Sequence, residues 1–134
     1  MSPTAVRLSR KSGTSVATIA AGDDIVLQIG EDLGASNTKE DARIKVKIQR
    51  IKIEHVSGTA ATFTPSMFSE AGAALTDIAQ EYLGVVTAVA AIFDATNIQA
   101  YCYTDLRGRL YLRPTPNAGA DNTFKYQVYY EVCF

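Results

Sequence analysis

From residue 124 to the end the chain alternates strictly. Phe124, Tyr126, Val128, Tyr130, Val132 and Phe134 fall on one side, and Lys125, Gln127, Tyr129 and Glu131 on the other. Side chains along a strand point to opposite faces in turn, so this spacing sets one apolar row against one polar row. A helix, advancing about 100° per residue, would scatter the same side chains around its circumference. A long one-sided strand needs neighbours in a sheet and a second layer over its apolar face.

The same pattern recurs upstream. Ile44, Val46 and Ile48 alternate with Arg43, Lys45 and Lys47. The alternation then breaks and resumes at Ile51 and Ile53, because Gln49-Arg50 is one residue too many. A β-bulge there keeps all five aliphatic side chains on the core face, and β-branching at each of them disfavours a helix. Ile98, Ala100, Cys102 and Thr104 alternate with Gln99, Tyr101 and Tyr103, and Leu110 and Leu112 alternate with Arg109, Tyr111 and Arg113. Between these runs, residues 105–108 (Asp-Leu-Arg-Gly) have the composition of a tight turn, with Gly108 where a positive φ is wanted, so the flanking strands are expected to pair. Pro114 and Pro116 end the second of them.

Residues 25–29 read as a short strand stopped by Gly30, residues 31–41 as a loop, and residues 85–93 as a buried strand, with a helix left open by their alanines. Leu75, Ile78, Ala79 and Tyr82 recur at helical spacing with Gly84 just beyond, which predicts one short helix over 73–83. The first 22 residues are rich in Ser, Thr, Ala and Gly and read as an arm or a loosely held leading strand. The expectation is a mainly β protein: a β-sandwich or jelly-roll-like single domain over 23–134, with one short helix and an extended N-terminal arm over 1–22.

A chain of 134 residues suffices for one domain with its own core, without a metal or a disulfide. Its 47% hydrophobic and 20% charged residues exclude a disordered chain. The formal net charge of −1 gives no overall pull toward nucleic acid or a membrane, and neither partner is expected. Charge is unevenly spread: Arg43, Lys45, Lys47, Arg50 and Lys52 have no acid among them, while no Lys or Arg occurs between Glu54 and Leu106. That is either a solvated strand face or a basic element that attracts the acidic stretch, within the fold or between copies. Cys102 and Cys133 fall on opposite strand faces, so free thiols are expected, as in a protein made in a reducing cytoplasm. Residues 1–22 hold no apolar run of signal-peptide length, and the longest apolar run, 85–93, is short of a membrane span.

Residues with catalytic potential are sparse. His55 is the only histidine. No Gly-x-Ser-x-Gly surrounds any serine, and His55 continues the inward face of its strand, where a packed histidine is the plainer reading. Asp23 and Asp24 are adjacent, which on a strand sends them to opposite faces and on a loop makes them caps. The loop 117–122 has too few acids for calcium, and no glycine-rich phosphate loop is present. No catalytic, metal or cofactor site is expected, and the chain is read as a non-enzyme. Tyr101, Tyr103, Arg109, Tyr111, Arg113 and Tyr129 are expected to share the outward face of one antiparallel patch, with Arg7 and Arg10 in the arm. Tyr and Arg are the residues enriched at protein interfaces. The competing readings are that a second sheet covers these tyrosines, or that they line a sugar site.

Three stretches carry a family resemblance: IKIEHVSGTA at 51–60, YCYTDLRGRLYL at 101–112 and DNTFKYQVYY at 121–130. With their surroundings, roughly residues 43–132, they resemble small β-sandwich virion proteins of tailed bacteriophages, particularly capsid decoration (cement) proteins. The resemblance implies a homo-oligomer, with a trimer favoured, that binds the major capsid protein or other virion subunits and clamps neighbours in an assembled shell. It implies a place in the virion after synthesis in the host cytoplasm, with no catalytic residue and no cofactor. A neck or tail component and a receptor- or glycan-binding β-sandwich module are the alternatives.

Overall fold

The computed structural model describes residues 8–30, 43–68 and 87–133. Among them the chain is mainly β, with strands β1 (Leu8–Thr14), β2 (Ile25–Gln28), β3 (Lys45–Ser57), β4 (Ser66–Phe68), β5 (Ile92–Ala95), β6 (Ala100–Tyr103), β7 (Arg109–Arg113) and β8 (Thr123–Cys133). They form two antiparallel sheets. A five-stranded sheet runs β1-β8-β3-β5 with β6 also on β3, and a three-stranded sheet runs β2-β7-β4.

β3 organises the larger sheet. One edge pairs with β8. The other edge is divided: β6 takes the stretch from Lys45 to Ile48, and β5 the stretch from Ile51 to Glu54. The register against β8 slips between Ile48 and Arg50, so Gln49 is the extra residue of a bulge. The connection from β5 to β6 passes here, and Ile98 N donates to Gln49 O at 3.0 Å, filling the gap in the ladder. Because of the bulge, Val46, Ile48, Ile51 and Ile53 all stay on the inner face with at most 1% exposure, and Ile44 packs against the same core.

One apolar cluster joins the inner faces of both sheets. The five-stranded sheet contributes the β3 aliphatics with Ala100, Val128, Tyr130 and Val132. The three-stranded sheet contributes Leu27, Met67, Leu110 and Leu112. Burying each large apolar side chain is worth about 1.5–3 kcal/mol, so this cluster is the main source of stability. Phe63 and Phe124 meet edge to face, with centroids 5.1 Å apart, at one end of it.

Several expectations meet a different arrangement. Residues 8–14, read as part of an arm or loose leading strand, form β1, which pairs with β8 along its length. Ser15 N then donates to Phe124 O at 2.8 Å, and Ile19 is buried in the core at 4% exposure. An edge strand draws its stability from one ladder and needs no apolar row, which is why its composition looked unstructured. The predicted hairpin across residues 105–108 does not form between β6 and β7, since β6 joins β3 and β7 lies between β2 and β4. The turn itself is present: Gly108 N donates to Asp105 O at 3.1 Å, and Gly108 has φ +75°. It carries the chain from one sheet to the other. The run at 85–93 is not a buried strand over its described part, because only Ile92–Ala95 is strand and Ile92 is 50% exposed. The predicted helix over 73–83 and loop over 31–41 lie outside the described residues.

Candidate interaction face

The outer face of the five-stranded sheet gathers residues from four strands. β1 supplies Arg10 and β8 supplies Lys125, Tyr129 and Glu131. Opposite them β3 presents Lys45, Lys47, Arg50 and Lys52, and β6 adds Tyr101 and Tyr103. Tyr101 is 49% and Tyr103 52% exposed, unusually open for large aromatic side chains on a sheet.

The tyrosines and cations are interleaved. Lys45 Nζ and Lys47 Nζ lie 5.1 and 5.4 Å from the centroid of Tyr101. The guanidinium carbons of Arg10 and Arg50 lie 6.0 and 5.7 Å from the centroid of Tyr129. Each ring therefore has two cations within cation–π range. Register explains this, because Lys47 faces Tyr101, Lys45 faces Tyr103, and Tyr129 lies between Arg10 and Arg50. Arg50 also grips Asp94 through two hydrogen bonds of 2.9 and 2.8 Å. The hydrogen bond from Arg50 is the main reason the Asp94 carboxyl sits below its ordinary pKa.

Beside the bulge lies an open depression of about 660 Å³, lined by Lys47, Gln49, Arg50, Asn97, Gln99 and Tyr129 among others. Asn97 and Gln99 have φ of +57° and +55°. The left-handed region is uncommon for Gln, and here its side chain is held by a 2.9 Å bond from Gln99 Nε2 to Gln49 Oε1.

The other predicted interface residues are placed elsewhere. Arg109, Tyr111 and Arg113 are on β7 in the three-stranded sheet, so the six Tyr and Arg residues do not share one patch. Tyr111 is 3% exposed and donates its hydroxyl to Asp105 Oδ2 at 2.6 Å. Arg113 pairs with Asp24 at 2.8 Å and stacks over Phe68 at 4.5 Å, and Arg109 Nε is 3.5 Å from Asp105 Oδ2. Arg7 lies outside the described residues. The basic run of β3 is legible in the sequence, but its place beside Tyr101 and Tyr103 is hidden by the turn at 105–108, which suggests that β6 pairs with β7.

The residues weighed for chemistry make hydrogen bonds within the fold. Asn122, fully buried, donates Nδ2 to Ile19 O and Ala118 O, both at 3.0 Å. That orientation leaves Asn122 Oδ1 as acceptor for Ala60 N and for His55 Nε2, again 3.0 Å each, so His55 carries its proton on Nε2 in this contact. The His55 ring rests on Phe124 at 5.1 Å. Asp121 accepts from Thr59 N and Thr59 Oγ1 at 3.0 and 2.9 Å. Asp23 caps a turn by accepting from Ala20 N at 2.8 Å. Among the described residues, no cluster of His, Cys, Asp and Glu is arranged to hold a metal ion, and no helix is long and apolar enough to cross a membrane.

No protein family and no curated protein matches the chain. Among solved structures it is similar to a chain of the "Cyanophage Pam1 capsid asymmetric unit", at 14% identity and a TM-score of 0.40, over 96% of this chain and 86% of that one. A likeness this distant transfers no residue role.

Proposed function

We propose that this chain is a non-enzymatic structural subunit of a tailed-bacteriophage particle. It decorates and stabilises an assembled capsid by binding the major capsid protein or other virion subunits, as a homo-oligomer with a trimer favoured. The observation that carries this reading is the outer face of the five-stranded sheet. Two half-exposed tyrosines stand there beside paired cations, on strands whose backbones are already fixed. Presenting such side chains from a rigid sheet lowers the entropy lost on association. The stretches that resemble decoration proteins, 51–60, 101–112 and 121–130, supply parts of β3, β6 and β8, the strands that build this face.

A second reading is favoured by the depression beside the bulge. Gln49, Asn97, Gln99 and Tyr129 give it amides and an aromatic ring, a lining that suits a glycan and would fit a receptor-binding module. A neck or tail component would use the same face on a different assembly.

Co-sedimentation with purified phage capsids tests the reading. Wild type is expected to pellet with the capsid. Tyr101→Ala with Tyr103→Ala should reduce pelleting while the unfolding midpoint stays within a few degrees. Undiminished pelleting of this variant would remove the face from the interface. Binding to a glycan array with no capsid association would favour the second reading.

A further inference from the structure

We infer that the surface received by this face is acidic, a carboxylate-bearing loop of a partner protein subunit rather than a nucleic acid. The inference deepens the interface reading above and rests on it. On the described part of the face, Arg10, Lys45, Lys47, Arg50, Lys52 and Lys125 stand against Glu54, Asp94 and Glu131. The chain as a whole carries −1, so this positive excess is local. One of the acids, Asp94, is engaged by Arg50. Among the described residues the remaining cations of the face outnumber its acids, and a partner contributing carboxylates would complete the pairing. Unlike charges across an interface set register and speed association.

The tyrosines decide between carboxylate and nucleic acid. Single-stranded nucleic acid is held by bases stacked on aromatic faces, with cations set along the phosphate backbone beside them. Here Tyr101 already has two ammonium groups within 5.4 Å of its ring centroid, and Tyr129 has two guanidinium groups within 6.0 Å. A base would have to displace those cations. A carboxylate would instead meet the cation heads in place, with the rings as their floor. The depression beside Lys47 and Arg50 is open and has room for a loop bearing a few side chains.

The experiment uses the full chain with two probes, fluorescent poly-L-glutamate and fluorescent oligodeoxythymidylate, titrated at low and at physiological salt. The expected result is poly-L-glutamate binding that weakens with salt. Binding should be at least about tenfold weaker in K45E/K47E and unchanged in R107E, a charge change in the exposed turn between the two sheets. Three results would overturn the inference: no poly-L-glutamate binding, tighter binding of the oligonucleotide at matched salt, or equal loss in R107E. Capsid co-sedimentation of K45E/K47E separates the two levels of the reading. Wild-type pelleting by K45E/K47E, with loss in Y101A/Y103A, would keep the interface and discard its acidic partner. Wild-type pelleting by both would discard the interface.

Discussion

Gly58 and Asn122 touch so closely that no other residue fits at position 58: a Cβ there would lie 2.5 Å from Asn122 Oδ1 and 2.6 Å from Asn122 Cα. Gly58 also has φ +121°, a backbone conformation that side-chain-bearing residues rarely adopt. Gly58→Ala is expected to cost upwards of about 2 kcal/mol in chemical denaturation, from strain and displacement of Asn122 together. An unchanged midpoint would show that the loop is not held as described.

Asn122 itself ties three segments together, through Ile19 O, Ala60 N and Ala118 O. Asn122→Asp keeps the size but turns the amide donor into an acceptor facing carbonyls. A loss of about 2–4 kcal/mol is expected, since a buried group is left unsatisfied. His55→Ala removes one bond to Asn122 and the packing on Phe124, and should cost less, about 1–2 kcal/mol. If His55→Ala instead abolished an enzymatic activity in a folded protein, the non-enzymatic reading would fail.

Asp105 and Tyr111 make stability depend on pH at both extremes. Burial pushes the Tyr111 phenol up, and its hydrogen bond to Asp105 and that residue's charge push it further, to about 12. For Asp105, burial acts to raise the pKa. It is outweighed by the Tyr111 hydroxyl, the backbone N–H groups of Arg109 and Arg107 and the Arg109 charge, so the carboxyl ends below its ordinary value. A raised folded pKa gives stability that is complete below the ordinary value of 10 and lost as pH rises toward about 12. A lowered one gives stability that is present above the unfolded carboxyl value, about 3.9, and lost as pH falls through the folded value. In Tyr111→Phe the alkaline loss between pH 10 and about 12 should shrink. The substitution should also cost about 1.5–3 kcal/mol near neutrality, as for a hydrogen bond to a charged group. Denaturation midpoints across the pH range would show both effects. An identical alkaline slope in the variant would contradict the assignment.

Deleting residues 1–21 removes β1 and Ile19. The bared edge of β8 would offer an unpaired row of backbone groups, and the core would lose one apolar side chain. A lower unfolding temperature and concentration-dependent self-association are expected, read by calorimetry and light scattering. A variant with the stability and oligomeric state of the full chain would mean that β1 adds nothing to the fold.

Cys102 and Cys133 flank β3 from opposite sides, facing Val46 and Lys45. Two strand spacings put their Cα atoms roughly 10 Å apart, beyond the reach of a disulfide. Intact mass without reductant should equal the mass with it, and a difference of two hydrogens would refute the pairing geometry.

Much of this fold was legible where periodicity speaks. The alternation of β8 and the extra residue at Gln49 were both readable, because burial imposes a period of two and a slip shows as a break. β1 was legible only as one of two alternatives, an arm or a leading strand, since Arg10, Ser12 and Thr14 bear no apolar row and the strand is specified by its partner. The partners of β6 and β7 were also hidden. Residues 105–108 have the same turn chemistry whether the chain doubles back in one sheet or crosses to another. That ambiguity is what dispersed the candidate face: Tyr101 and Tyr103 went with Arg109 and Arg113, when their neighbours are Lys45 and Lys47. The loop conformations at Asn97 and Gln99 left no mark in the sequence, because they follow from bridging the bulge.

Gln49 acts like a one-tooth offset in a gear. Upstream of it the even-numbered residues of β3 face inward, and downstream the odd-numbered ones do. The same offset keeps Lys45 and Lys47 on one side of the sheet with Arg50 and Lys52. Forcing Gln49 into the regular ladder would turn half of the strand over, sending Ile51 and Ile53 outward and Arg50 and Lys52 inward together, whereas deleting it would leave both rows on their present sides and remove only the bulge. Core and surface are thus set by a single phase, and the outer charge pattern cannot drift along β3 without the interior shifting with it.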